Sequence, residues 1–173
     1  MKKEELLQQV YQTAFNYEAQ YGGCAQCTLA SIRTCLGGVS ADTFTAATAL
    51  AGGVAASGNA CGACTGAILS IGSFLGRDFE NFGTPEGLKA KNDATMIGQE
   101  LVQKFMEAYG SIQCADIQKK LYGKSYRMYV PEEKEAFLAA GGHGPEGCTK
   151  VVANAAKWVT EILLAHDLVK VED

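Results

Sequence analysis

Cysteine is the residue whose number and spacing point most directly to chemistry in this sequence. There are seven cysteines among 173 residues. Two pairs have C-x-x-C spacing, Cys24 with Cys27 and Cys61 with Cys64. Repeated C-x-x-C pairs are typical of metal sites, and such pairs also occur in thiol redox proteins. The cysteines therefore predict metal binding or thiol–disulfide chemistry.

Composition and charge narrow the class of protein. Hydrophobic residues make up 47% of the chain and charged residues 20%, which excludes a disordered chain. The net charge of −4 argues against a nucleic-acid-binding surface. No apolar run reaches the roughly 18 residues of a membrane span, so we expect no membrane insertion. The first residues lack the apolar centre of a signal peptide, so we expect a cytoplasmic protein, in which structural disulfides are rare.

Hydrophobic periodicity is helical along almost the whole chain, and no segment alternates as a strand does. We predict one domain over residues 1–173, an all-α helical bundle of about six to eight helices joined by Gly-rich loops. The first helix is expected to place its Glu and Gln residues opposite its apolar face. The polar, turn-rich residues 77–92 are predicted to form a loop.

Five cysteines lie at or within one turn of a predicted helix start, behind glycine or small residues: Cys24, Cys61, Cys64, Cys114 and Cys148. A helix start has unpaired N–H groups and a partial positive charge, and both favour thiolate over thiol. We therefore expect these cysteines to have a lowered pKa. Thiolate is the form that binds metal and attacks disulfides.

The wide separation of the cysteines along the chain favours an iron–sulfur cluster over a structural zinc site. Structural zinc usually lies in short knuckles that need the metal to fold. Here a chain with its own core supplies cysteines from four distant segments. Iron–sulfur clusters take four thiolates and are tuned by hydrogen bonds to the sulfurs, which helix starts can donate.

The order of the cysteines resembles a known motif. Gly23-Cys24-Ala25-Gln26 comes first, then Cys61-Gly62-Ala63-Cys64-Thr65-Gly66, then Cys114, then Cys148. The sequence resembles, over roughly residues 15–165, the redox-active family named for its C-GCAxxG-C-C cysteine pattern. The second block matches the C-G-A-x-x-G part of that signature residue by residue.

The resemblance implies a small helical protein with a redox function, and it identifies the residues expected to bind metal. The ligands that carry over are Cys24, Cys61, Cys114 and Cys148. Gly62, Gly66 and His143 are candidates for the surroundings of these ligands, although an ordinary loop histidine is the favoured interpretation of His143. Cys27 and Cys64 are additions to the family pattern and are candidates for auxiliary redox or ligand roles, with packing as the alternative for Cys27. Cys35 is expected to pack.

Split-Soret cytochromes resemble the same family, and they combine c-type haem with a further cysteine-bound iron centre. Covalent haem needs C-x-x-C-H, but Thr28 follows Cys27 and Thr65 follows Cys64. We therefore expect no covalent haem in this protein.

Three functions remain open from the residues. The first is electron transfer by a [2Fe–2S] or [4Fe–4S] cluster on the four cysteines. The second is metal-free thiol–disulfide chemistry, and the third is a non-catalytic module that stores or delivers zinc or copper.

The protein would be an oxidoreductase or the redox partner of one. The small-residue helix at 61–76 could pack within the bundle or against a second copy of the chain, as in a homodimer. Catalytic residues are unknown.

Other residues are assigned less specific roles. Tyr122, Tyr126 and Tyr129 are expected to pack beneath a loop rather than to conduct electrons. Arg77 and Lys150 are expected on the solvated surface.

Overall fold

The computed structural model describes residues 2–171, and within them the chain forms eight α-helices. Their bounds are α1 (Lys3–Tyr21), α2 (Cys24–Leu36), α3 (Ala41–Ala46), α4 (Gly62–Leu75), α5 (Pro85–Tyr109), α6 (Cys114–Tyr122), α7 (Pro131–Ala139) and α8 (Cys148–Ala165). A 3₁₀ turn covers Thr48–Leu50. Across these residues β pairing is limited to one isolated bridge, Ala60 with Gln113. The all-α helical bundle is therefore confirmed. No helix of residues 2–171 combines the length and apolarity needed to cross a membrane.

Helix α8 is at the centre of the bundle. It packs against α1, α2, α4 and α5. Its apolar face, which includes Val152, Val159 and Leu163, is fully buried. Burial of such side chains stabilises each by roughly 1.5–3 kcal/mol relative to an exposed position. Helices α6 and α7 are short and lie over the end of the bundle where α2, α4 and α8 begin.

The start of α5 corrects the second half of the loop predicted over residues 77–92, because residues 77–84 form loop and turn whereas residues 85–92 are helical. Thr84 is the N-cap of this helix, and its Oγ1 accepts a hydrogen bond from the Gly87 N–H at 3.1 Å. Pro85 occupies the first helical position, where a missing N–H costs nothing. The Pro and Gly that resemble a turn in the sequence therefore belong to a capped helix start.

Glycines of α4 bring its backbone close to α2. A Cβ at Gly66 would lie 2.5 Å from the carbonyl oxygen of Ala25, and a Cβ at Gly62 would overlap the sulfur of Cys24. No side chain larger than hydrogen fits at either position. The two glycines therefore fix the beginning of α4 directly against the beginning of α2.

A left-handed turn precedes α4. Residues 52–56 all have positive φ, and three of them are not glycine: Val54 (63°), Ala55 (50°) and Ala56 (61°). This conformation costs an L-residue roughly 1–2 kcal/mol. Downstream of the turn, the carbonyl oxygens of Asn59 and Gly58 accept hydrogen bonds from the N–H groups of Cys114 and Ala115, at 2.7 and 3.0 Å. The residues that follow the turn thereby hold the start of α6.

Candidate functional site

Four cysteines from four helix starts meet at one point. Cys24, Cys114 and Cys148 are the first residues of α2, α6 and α8, and Cys61 is the N-cap of α4. All four line a cavity of about 20 Å³, here called the inner cavity, whose other walls are apolar side chains such as Val152 and the one amide of Gln118. The structure thus brings together the cysteines that the sequence indicated as ligands.

The other three cysteines lie outside the inner cavity. The Cys27 thiol donates to the carbonyl oxygen of Gly22 at 3.0 Å, and Cys64 is buried within α4. The Cys35 sulfur lies 3.6 Å from Thr13 Oγ1. The second cysteine of each C-x-x-C pair is one turn inside its helix, and neither Cys27 nor Cys64 lines the inner cavity with its partner.

Backbone N–H groups surround the sulfurs. The N–H groups of Ala63 and Cys64, in the first turn of α4, lie near the Cys61 sulfur and act to lower its pKa. The N–H of Gly52, in the left-handed turn, acts on the pKa of Cys24 in the same direction. These donors would stabilise thiolates or sulfur ligands of a metal.

The expected lowering of the thiol pKa is wrong. Burial raises the pKa of Cys24, Cys61 and Cys148 well above the usual value for a thiol, and raises that of Cys114 to about 11. Full burial shifts a pKa by up to about 3–5 units, whereas a helix start contributes roughly 0.3–1 kcal/mol, less than one unit. The neighbouring cysteines raise the pKa of Cys24, Cys61 and Cys148 further. Without a bound cation, the site therefore holds neutral thiols at pH 7.

Tyr122 contacts the site in addition to packing against its aromatic neighbours. Its hydroxyl accepts a hydrogen bond from the Cys148 N–H at 3.0 Å and lies 3.6 Å from the Cys148 sulfur. Phe137 and Tyr126 hold the ring by edge contacts. Tyr122 and Cys148 are far apart in the chain, so no local sequence pattern links them.

Arg77 and Lys150 have partners other than the cysteines. The Arg77 guanidinium lies over the Phe82 ring, and Lys150 forms an ion pair with Glu146.

Gln118 is a neighbour of the site that the sequence analysis missed. It is buried, its Nε2 lies 3.7 Å from the Cys114 sulfur, and its Oε1 accepts from the Tyr126 N–H at 2.7 Å. The signal was its position four residues after Cys114, on the same helix face.

Glu18 is the second missed residue and the clearest departure from the predicted polar face of α1. Its side chain is 3% exposed. Oε1 lies 3.3 Å from His143 Nδ1, while Oε2 is buried and has no hydrogen-bond partner among the described residues. His143 Nδ1 is likewise buried without a hydrogen-bond partner, so the imidazole lies beside a buried carboxylate without a hydrogen bond to it. The periodicity of α1 does not distinguish Glu18 from its solvated Glu residues.

A larger space adjoins the inner cavity. This outer pocket has a volume of about 320 Å³ and shares the walls formed by Cys24, Cys114 and Cys148. Glu18 and His143 also line it, as do three further elements of the fold: the left-handed turn, the loop before α7, and α7 itself. Three of the four sulfurs therefore lie between the inner cavity and the outer pocket.

The four cysteine sulfurs have the chemistry of metal ligands, but the structure does not hold them at the distances that a bound metal ion requires. Within residues 2–171, no group of three or more His, Cys, Asp or Glu side chains has geometry ready for a metal ion. The inner cavity holds about one water-sized sphere. A cluster would need space from the outer pocket, which the shared walls of three cysteines provide. Four thiols with backbone N–H donors are the ligand chemistry of iron–sulfur sites.

The fold and the site define a class of protein, a helical bundle with four cysteines gathered at helix starts. Residues 23–162 match the family described as "Putative redox-active protein (C_GCAxxG_C_C)". The chain belongs to this family, which confirms the resemblance found in the sequence. Searches of curated proteins and of solved structures find no match.

Proposed function

We propose that the protein binds an iron–sulfur cluster through Cys24, Cys61, Cys114 and Cys148 and works in electron transfer. The observation that supports this most is the convergence of the four cysteines on one cavity from four separate helix starts. Core packing alone would not require sulfur at all four of these positions. A bound cluster would supply one-electron chemistry, with an oxidoreductase or another redox protein as partner.

Electrostatics support a metal rather than free thiolates. Burial disfavours the thiolate at all four cysteines, and a cation at the centre would reverse this. The positive ends of four helix dipoles and the first-turn N–H groups would then stabilise the sulfur charge. The hydroxyl of Tyr122 and the amide of Gln118 would add side-chain donors to Cys148 and Cys114.

The metal-free alternative is less well supported. Thiol–disulfide exchange needs a thiolate, and a raised thiol pKa leaves little of it at pH 7. In addition, neither C-x-x-C pair places both sulfurs at the inner cavity.

The test is anaerobic isolation followed by a visible spectrum and assays for iron and sulfide. We expect a charge-transfer band and bound iron with sulfide, and we expect Cys61→Ser and Cys148→Ser to lose both. Cys35→Ser is the matched control, because Cys35 lies outside both cavities, and it should retain both signals.

Each contrary outcome has a distinct meaning. A colourless protein that holds zinc or copper would indicate the storage module instead. A metal-free protein whose cysteines change state on mild oxidation, followed by alkylation and mass spectrometry, would indicate thiol–disulfide chemistry. Retention of iron by both Cys61→Ser and Cys148→Ser would contradict the assigned ligand set.

A further inference from the structure

We propose that the outer pocket binds a small organic cation whose N–H head group donates to Glu18. The inference deepens the proposed function, because it gives the cysteine site a ligand class. The inference rests on the proposed function only for the reaction or redox role of the bound ligand. Binding itself needs no metal.

The pocket has the size and walls of a small-molecule site. Its volume of about 320 Å³ lies at the lower end of the usual range for such sites. Phe137 and Met128 supply apolar surface, and the sulfurs of Cys24, Cys114 and Cys148 line it next to the inner cavity. A molecule in this pocket would therefore lie beside the proposed redox centre.

Among the described residues that line the pocket, two buried polar atoms lack a hydrogen-bond partner, Glu18 Oε2 and His143 Nδ1, and the carboxylate oxygen is the one that needs a donor. His143 Nδ1 lies 3.3 Å from Oε1, and Oε2 is buried without a donor. An unpaired buried carboxylate oxygen is costly, and native structures rarely keep one without a reason. A ligand N–H entering the pocket would supply the missing donor.

The charges around the pocket favour a cationic head. Besides the thiols, its titratable lining groups in the described chain are Glu18, His143, Lys134 and Tyr21. Lys134 and Tyr21 are exposed, so solvent screens the Lys134 charge. The carboxylate of Glu18 is buried, where a charge acts more strongly. A primary amine or amidine satisfies both the hydrogen bond and the charge, whereas a carboxylate ligand would meet repulsion.

The experiment uses the full-length, reduced, metal-free protein and three matched probes. Benzylamine carries a cationic N–H head, benzyl alcohol a neutral donor and benzoate an anion on the same ring. Titration calorimetry should give saturable binding of benzylamine, with the other two at least about tenfold weaker, as expected for a charge-assisted hydrogen bond. Equal binding of all three probes would overturn the proposal.

Variants identify the oxygen responsible. Glu18→Gln should weaken benzylamine binding about tenfold. Glu100→Gln is the matched control, because Glu100 pairs with His166 outside the pocket, and it should change nothing. If Glu18→Gln fails to fold, Lys134→Glu at the exposed rim still tests the charge argument at low ionic strength, where screening is weakest, since there it should tighten benzylamine binding several-fold.

The outcomes separate this inference from the proposed function. Unchanged benzylamine affinity in Glu18→Gln and in Lys134→Glu would mean that water alone meets the buried oxygen, and the inference would fail. Iron and sulfide found without amine binding would also sink the inference while leaving the proposed function intact. Amine binding in a protein that never holds iron would support this inference and contradict the proposed function.

Discussion

At Cys61, two opposing effects act on one sulfur. The N–H groups of Ala63 and Cys64 favour the thiolate, whereas burial and the neighbouring sulfurs of Cys114 and Cys148 favour the thiol. Burial is the largest of these effects. A helix start therefore positions the cysteine and supplies donors to its sulfur, but it does not make a buried thiol acidic by itself.

Cys64 allows the burial effect to be measured away from the inner cavity. Burial raises its pKa to about 11 from the model-compound value of 9.0. Since the unfolded chain ionises first as pH rises, the stability that the neutral thiol contributes is present below pH 9 and is lost between pH 9 and 11. At about 1.36 kcal/mol per pH unit, the loss is on the order of 2 kcal/mol.

The comparison is between wild type and Cys64→Ala by denaturant unfolding under reducing, metal-free conditions at pH 7.5 and 11. Groups common to both proteins cancel in the difference. We expect the wild type to lose stability relative to the variant as pH rises. A constant difference across this range would show that Cys64 is not shielded from water.

Tyr122 is expected to tune the proposed centre through Cys148. Tyr122→Phe removes a donor to the sulfur, which disfavours the more negatively charged, reduced state. One hydrogen bond of about 1 kcal/mol corresponds to roughly 40 mV for one electron, so the midpoint potential should fall by about that amount. Voltammetry or redox titration measures it. Tyr129→Phe, at an exposed ring, is the control and should leave the potential unchanged.

At the scale of elements, the left-handed turn is strained in a testable way. Ala55 is exposed and has φ 50°, a region that glycine adopts freely. Ala55→Gly should therefore stabilise the protein by about 0.5–1 kcal/mol, the strain released less the extra entropy of the unfolded chain. Ala90→Gly within α5 should instead destabilise it by about 1 kcal/mol. Destabilisation by both changes in urea unfolding would contradict strain at residue 55.

Helix α4 offers a matched pair of glycines. Gly66→Ala should cost about 1–3 kcal/mol, because its Cβ meets the Ala25 backbone. Gly72→Ala, in the same helix, should stabilise by roughly 0.5–1 kcal/mol, because within 4 Å its Cβ would meet no described atom beyond its chain neighbours and the backbone of its own helix. Thermal unfolding of the two variants compares them directly. Similar effects would mean that α2 and α4 are less tightly apposed.

The elements themselves could largely be predicted from the sequence. Apolar spacing indicated α1, α5 and α8, and glycine indicated where α2 ends, because these signals lie within a few residues. Long-range contacts carry no such signal. The pairing of Glu18 with His143 and of Tyr122 with Cys148 depends on how separate helices pack, and the raised thiol pKa depends on burial depth, which periodicity does not measure.

For the whole molecule, the proposed cluster would couple binding to folding. The unfolded chain does not hold four distant cysteines together, so a ligand of that set stabilises only the folded state. Anaerobic denaturation should show a higher midpoint for the loaded protein than for the metal-free protein. In Cys61→Ser the difference should disappear. Equal midpoints for loaded and metal-free wild type would indicate metal held outside the folded site.

The separation of Cys27 and Cys64 from the inner cavity has a kinetic consequence. In the unfolded chain, the C-x-x-C pairs close the shortest loops and are the easiest chelates to form. A thiophilic metal present during folding would therefore be captured first by Cys24 with Cys27 and by Cys61 with Cys64, in pairings other than the proposed ligand set. If the protein binds the proposed cluster, productive assembly would then have an order: the helices would dock first, and the metal would reach a folded chain in which Cys27 and Cys64 are buried outside the inner cavity.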